Sequence, residues 1–236
     1  MTPTLFTSCN TLHPAGRRSP EASLLEPVQV CSSSLGAAGS SPEGAELASA
    51  ARPSLRSPAL NFAPELLLKA QGMRIAFFDI DSVLTDSGLY LSEQGETLKR
   101  FNTLDGHGLK LLQRAGITPA VITGRDSPAL RARLQALGIT HAHFGTEDKR
   151  PAAETTLQAL GLAWQQAAAI GDDWPDLPVM RRAAFSCAPA NAHIEVKALA
   201  HHTTQAAGGH GAAREFCDLL LVASGRYAQL LQAFTA

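Results

Sequence analysis

Ile75-Ala76-Phe77-Phe78-Asp79-Ile80-Asp81-Ser82-Val83-Leu84-Thr85 is the stretch from which the rest of the chain can be read. Four apolar residues lead into two aspartates spaced i and i+2. A short continuous apolar run marks a strand buried on both faces. A carboxylate at the C-terminal end of such a strand sits where open α/β sheets place their ligands. Two carboxylates in apolar surroundings cost free energy unless something cationic neutralises them. The first question is therefore what binds between Asp79 and Asp81.

Working outward, Gly88 to Phe101 holds two short runs around Glu93-Gln94-Gly95-Glu96, the pattern of a β-hairpin with a positive φ at Gly95. Asp105 to Ala115 reads as a helix that ends near Gly116. Ile117 to Ile122 is a second buried strand, and it delivers Thr123-Gly124-Arg125. Asp126-Ser127-Pro128 then starts a helix, with a capping side chain and proline in the first turn. Thr140 to Phe144 is a weak third strand, and Asp148-Lys149 opens another helix that ends at Gly161. Ala167 to Ile170 is a strand that delivers Gly171-Asp172-Asp173, followed by a short helix from Asp176 to Arg182. Phe185 to Ala188 is a last short strand, and Ala212 to Ala223 is a C-terminal helix after the loop Gly208-Gly209-His210-Gly211. Upstream, Pro64 to Ala70 reads as a short helix. Strands alternating with helices predict an α/β fold, a Rossmann-like doubly wound parallel sheet.

Residues 1–61 differ in character. Seven of the 14 prolines lie there, with Ser, Ala and Gly between them. Such a segment buries too little apolar surface to offset its ordering entropy, so a disordered low-complexity leader is expected over 1–61 and a folded domain over 62–236. With 236 residues and a formal net charge of -1, composition favours neither nucleic acid nor an anionic membrane surface as partner. No apolar run approaches the roughly 20 residues of a membrane helix, so no membrane insertion is expected. Cys9, Cys31, Cys187 and Cys217 match neither a zinc site nor a short disulfide framework, and are read as reduced thiols of a cytoplasmic protein.

Four polar clusters close the apolar runs: Asp79 with Asp81, Thr123, Lys149, and Asp172 with Asp173. In a parallel sheet all strand C-termini share one edge, so these groups can converge. Carboxylates at this density suit a hard divalent cation such as Mg²⁺, which takes oxygen ligands. A hydroxyl and an ammonium suit phosphoryl oxygens. A carboxylate nucleophile toward phosphorus is established chemistry. Taken singly, Asp176 reads as a cap for its short helix, His201 and His202 as surface, Trp174 as packing or a site wall, and His107 and His210 as near the site.

Asp79-Ile80-Asp81-Ser82-Val83-Leu84-Thr85, Ile122-Thr123-Gly124-Arg125, Lys149 and Gly171-Asp172-Asp173 resemble, in order, motifs I to IV of the haloacid dehalogenase superfamily. Phe101-Asn102 with Asp105-Gly106-His107-Gly108, Leu137-Gly138-Ile139, and Gly208-Gly209 with Gly211-Ala212-Ala213-Arg214-Glu215 resemble further signatures of its 3-deoxy-D-manno-octulosonate 8-phosphate phosphatase family. The resemblance implies a Mg²⁺-dependent phosphatase of sugar-acid phosphates without a large cap domain. Its flap would be the hairpin at about 88–101, its assembly a homotetramer, and its product a lipopolysaccharide precursor. It implies Asp79 as nucleophile and Asp81 as general acid/base. It also implies Mg²⁺ on Asp79, the Asp81 backbone carbonyl and Asp172, with Asp173 in support. Thr123 with Gly124 and Lys149 would hold the phosphoryl group, and Arg125, with Arg214 in the tail, would be candidates to grip the substrate carboxylate. Ser82, where glycine is usual, and Leu104 and His210, where arginine is usual, depart from the pattern. A nine-carbon keto-sugar-acid phosphate is the rival substrate, and a non-catalytic homologue is the rival class. A signalling receiver domain fits poorly, because there the lysine follows the last acidic motif.

Overall fold

The computed structural model describes residues 60–235. The leader expected over 1–61, together with Cys9 and Cys31, lies outside the described residues apart from the leader's last two positions. In chain order the elements begin with α1 (Pro64–Lys69), β1 (Ile75–Phe78), β2 (Tyr90–Ser92), β3 (Gly95–Leu98), α2 (Thr103–Arg114) and β4 (Thr118–Ile122). They continue with α3 (Pro128–Leu137), β5 (His141–His143), α4 (Lys149–Leu160), β6 (Ala167–Ile170), α5 (Leu177–Met180) and β7 (Phe185–Ala188). The chain then forms α6 (Ile194–Leu199), β8 (His202–Thr203), α7 (Ala212–Ala223) and α8 (Tyr227–Gln232).

Six strands form one sheet in the order β5-β4-β1-β6-β7-β8, and every pairing in it is parallel. The chain builds outward from β1 to β4 and β5, then crosses back to β6 on the other side of β1. That reversal opens a crevice at the C-terminal end of β1, the position where doubly wound sheets bind ligands.

Strand β1 is buried along its whole length because each face carries a helical layer. Ala76 and Phe78 pack with Leu109, Leu112, Leu130, Leu134 and Phe216 of α2, α3 and α7. Ile75 and Phe77 pack oppositely with Ala153, Leu157, Val179 and Val196 of α4, α5 and α6. The period of two places neighbours on opposite faces. Each fully buried side chain of this size contributes about 1.5–3 kcal/mol relative to exposure.

The Ser127 hydroxyl caps α3 by accepting from Leu130 N at 3.3 Å, as its sequence predicts. The helix expected from Asp105 starts two residues earlier, because the Asn102 side chain accepts from Leu104 N at 2.8 Å. Asp105 is buried and caps a different helix: its carboxylate accepts from Arg214 N of α7 at 2.8 Å and from Gly211 N at 3.3 Å. The glycine loop ahead of α7 therefore has a fixed position. It packs on the turn after β1 so closely that a Cβ at Gly208 would lie 1.6 Å from the Ser82 carbonyl oxygen, and one at Gly209 would lie 2.4 Å from Asp86 N. Only glycine permits that approach.

Strands β2 and β3 form the expected antiparallel hairpin, apart from the main sheet. Its side chains are largely exposed, with Leu91 at 68% and Leu98 at 64%.

Candidate active site

Three strand ends meet at the crevice. Asp79 follows β1, and its N–H donates to the Ile170 carbonyl at 3.2 Å, extending the ladder by one residue. Thr123 follows β4, and Asp172 lies two residues past β6. A cleft of about 390 Å³ is lined by Asp79, Asp81, Ser82, Lys149, Asp172 and Arg125, with Gly124, Asp173 and Asp176 among its other walls. Of the groups that the sequence scattered over some hundred residues, all but Thr123 thus line one cleft.

Lys149, the first residue of α4, is 6% exposed. Its ammonium donates to Asp79 Oδ1 at 2.5 Å and to Asp176 Oδ1 at 2.7 Å. Burial works against the charge, but Asp79 and Asp176 outweigh it and push the Lys149 pKa up to about 12. The other Asp176 oxygen accepts from the N–H groups of Asp172 and Asp173, at 3.0 and 3.3 Å. Asp176 is therefore not the helix cap its position predicts. It is the buried brace that ties Lys149 to the turn carrying Asp172, and no local sequence signal marks it.

Carboxylate oxygens of Asp79, Asp172 and Asp176 lie within 4.8 Å of one another. Burial, then Asp176, push the Asp79 pKa up to about 8. Burial and Asp176 likewise push Asp172 up to about 6. One ammonium does not balance three carboxylates in a desolvated cleft. An all-oxygen donor set short of positive charge fits a hard divalent cation. Asp176 is the most committed of the three, because Lys149 Nζ and two backbone N–H groups already bond its oxygens. Asp79 Oδ2 and the Asp172 carboxylate remain available.

Asp81 is held from the hairpin side. Lys99 Nζ, on a side chain only 1% exposed, lies 2.5 Å from Asp81 Oδ1 and 3.0 Å from Glu96 Oε1. The Glu96 contact is an ion pair without hydrogen-bond alignment. Arg125 Nε lies 3.3 Å from Asp81 Oδ2 and its guanidinium 3.9 Å from Glu96 Oε2. Sequence reasoning missed Lys99 and Glu96, because charges on an exposed hairpin read as solubility.

The remaining expected residues divide. Thr123 is fully buried, and its hydroxyl accepts from Arg125 N at 3.2 Å, which shapes the loop beneath the rim. Asp173 is exposed, and its carboxylate accepts from Trp174 N at 2.8 Å. Trp174 is 61% exposed and donates to His193 Nδ1 at 3.2 Å. Arg214, a candidate for substrate, is instead bound to both oxygens of Asp218 at 2.8 and 2.9 Å. With His107 it lines an apolar cavity of about 230 Å³ against α8, outside the acidic cleft. His210 Nδ1 lies 2.9 Å from the Gly208 carbonyl, and its Nε2 faces Arg100 at 3.2 Å.

Comparison with known proteins fits this geometry. Residues 145–216 match the model of the haloacid dehalogenase-like hydrolase family. The chain is 40% identical over 162 residues to the 3-deoxy-D-manno-octulosonate 8-phosphate phosphatase KdsC of Escherichia coli (strain K12), which spans 69% of this chain and 86% of that protein. The crystal structure of the Moraxella catarrhalis phosphatase of the same name, in complex with magnesium ion, phosphate ion and KDO, superposes with a TM-score of 0.70 at 35% identity, covering 72% of this chain and 98% of that one. The cobalt-bound Haemophilus influenzae phosphatase superposes with a TM-score of 0.69 at 38% identity, covering 71% and 99%. The order of the four motifs, their convergence at the β1 crevice and these likenesses agree: the chain belongs to the 3-deoxy-D-manno-octulosonate 8-phosphate phosphatase family of haloacid dehalogenase-like hydrolases.

Proposed function

We propose that the cleft hydrolyses 3-deoxy-D-manno-octulosonate 8-phosphate to the free sugar acid and phosphate with Mg²⁺ as cofactor. The observation that carries this is the Lys149 ammonium shared between Asp79 and Asp176 in a cleft that is still short of positive charge. Asp79, the backbone carbonyl of Asp81 and Asp172 would hold Mg²⁺, with Asp173 in support, and the bound cation supplies charge stabilisation for the phosphoryl group. Asp79 is the nucleophile: kept in place by Lys149, its carboxylate attacks phosphorus with one oxygen as the bond to the sugar alkoxide breaks, forming an aspartyl-phosphate. Asp81 is the general acid and base. It protonates the leaving alkoxide, then deprotonates the water that hydrolyses the aspartyl-phosphate. Lys149, Gly124 and the Thr123 hydroxyl hold phosphoryl oxygens as charge develops on them.

Arg125, half exposed beside Asp81, is the cation placed to meet the substrate carboxylate. The names of the matched relatives favour the eight-carbon sugar acid over a nine-carbon one. The exposed Leu89, Tyr90, Leu91 and Leu98 offer the hairpin as the packing face of a homotetramer, and a monomer in sedimentation equilibrium would contradict that. The buried free thiols of Cys187 and Cys217 fit a cytoplasmic enzyme.

Replacing Asp79 by Asn is expected to lower turnover of the eight-carbon substrate by about 10⁴-fold or more, the scale of losing a nucleophile, with the near-UV circular dichroism unchanged. EDTA is expected to abolish hydrolysis of p-nitrophenyl phosphate by the wild type. Full activity in either case refutes the assignment, and faster turnover of the nine-carbon substrate refutes the substrate.

A pH dependence follows from Asp79 and Asp172. Their folded pKa values, about 8 and about 6, lie above the ordinary 3.8. In EDTA the folded chain thus binds more protons than the unfolded chain between about pH 4 and about pH 8, so stability falls as pH rises through that window. Mg²⁺ competes with those protons. The rise in melting temperature on saturation with Mg²⁺ is expected to be small near pH 5 and larger near pH 8. An equal rise at both contradicts the account.

A further inference from the structure

The hairpin strands are largely exposed, yet the Lys99 side chain just beyond β3 is shut away from water. Alternation along a strand puts residues three apart on opposite faces, which would separate Glu96 from Lys99. They meet because the chain leaves the strand after Leu98 and returns to the turn after β1, where Phe101 bridges Thr85. The Lys99 ammonium then donates to Asp81 Oδ1 at 2.5 Å and lies 3.0 Å from Glu96 Oε1. Arg125 closes the set, 3.3 Å from Asp81 Oδ2 and 3.9 Å from Glu96 Oε2. Two cations thus alternate with two carboxylates, but the cations are unequal. The Arg125 side chain is 49% exposed, and water competes for its contacts. The Lys99 side chain is 1% exposed, so its contacts are the firmer ones.

We propose that Lys99 is a positioning residue for proton transfer: carried on the hairpin, its ammonium fixes the Asp81 carboxyl group in the cleft, and Glu96 holds the ammonium in turn. This rests on the reading of Asp81 as general acid and base. As Asp79 attacks phosphorus, the bond to the sugar oxygen breaks, and that oxygen takes the Asp81 proton. Asp81, now a carboxylate, then takes a proton from the water whose oxygen displaces Asp79 from phosphorus. Both transfers need an Asp81 oxygen within hydrogen-bond reach of the reacting oxygen. A misplacement of about 1 Å can cost about 10²-fold in rate. Arg125 can leave Asp81 to meet the substrate carboxylate; Lys99 is the anchor that stays. A hairpin lifted off the cleft withdraws that anchor, so proton transfer is confined to the closed hairpin.

Leaving-group dependence tests this, because p-nitrophenolate departs without a proton and a more basic leaving oxygen needs one. The measurement is kcat/KM of the full chain with Mg²⁺ on a series of substituted phenyl phosphates, which reports the steps through release of the phenol. Lys99→Met keeps the side-chain length and removes the ammonium. Its loss of kcat/KM is expected to grow with the basicity of the leaving phenol, from under about tenfold on p-nitrophenyl phosphate to about 10²-fold on phenyl phosphate, the lower end of what a general acid supplies. Glu96→Gln is expected to show the same trend with smaller losses, and it decides the matter if Lys99→Met loses its near-UV circular dichroism. Asp81→Asn is the reference, with the steepest trend of the three. A merely structural lysine would lower kcat/KM by one factor across the series. Such a uniform loss in the Lys99 and Glu96 variants, or no loss, beside a steep trend in Asp81→Asn overturns the positioning role alone. A flat series in Asp81→Asn overturns the acid reading, and the positioning role with it.

Discussion

The ammonium of Lys149, buried between Asp79 and Asp176, is the interaction on which the site depends. A lone ammonium in that place would be driven to deprotonate, and either aspartate alone would be driven to protonate. Together they keep Lys149 charged, yet the balance is incomplete: Asp172 adds a third carboxylate, and burial with Asp176 pushes the Asp79 pKa up to about 8. Buried ion pairs of this kind are poor sources of net stability, whereas removing one partner costs about 3–5 kcal/mol. Their retention is therefore better explained by what they position. Lys149 fixes one oxygen of Asp79 and turns the other toward the cleft. Asp176 uses its remaining oxygen to hold the Asp172–Asp173 turn by two backbone N–H groups.

Everything else in the fold serves to bring distant segments to that point at fixed distances. The sheet reverses direction at β1, so the ends of β4 and β6 flank it. The glycine loop before α7 lies on the turn after Asp81 with no room for a side chain, and Asp105 pins that loop from α2. The hairpin reaches back with Lys99 and the loop after β4 with Arg125, so Asp81 is gripped from two separate later segments, with Glu96 between the two cations. A displacement of the hairpin would take Lys99 away from Asp81, which couples access to the cleft with the placement of the proposed acid and base.

Much of this was legible because local rules sufficed. A short apolar run ending in Asp-x-Asp reads as a buried strand with a site at its end, and Ile75 to Asp81 is that. Ser127-Pro128 announces a helix start, and the structure caps it there. What stayed hidden was set by contacts between remote segments. Asp176 looks like any acid opening a short helix; only Lys149, 27 residues earlier in sequence, gives it another role. Arg214 looked available for substrate, but its Nε is held by both oxygens of Asp218, one turn along the same helix. Helix α6, helix α8 and strand β8 have six, six and two residues, too few to establish a period, and no expectation covered them. Ser82 departs from a usual glycine in sequence alone. The structure shows the left-handed backbone that explains the glycine and the hydroxyl contacts that accompany the serine.

The central claim is that Asp79 and Asp172 form a cation site while Asp176 is reserved for Lys149. Anomalous diffraction from crystals soaked in Mn²⁺, a spectroscopically visible substitute for Mg²⁺, tests it most directly. The account predicts one anomalous peak between the Asp79 and Asp172 carboxylates, with Asp176 still bonded to Lys149. A peak bound by Asp176, or no peak in the cleft, would contradict it.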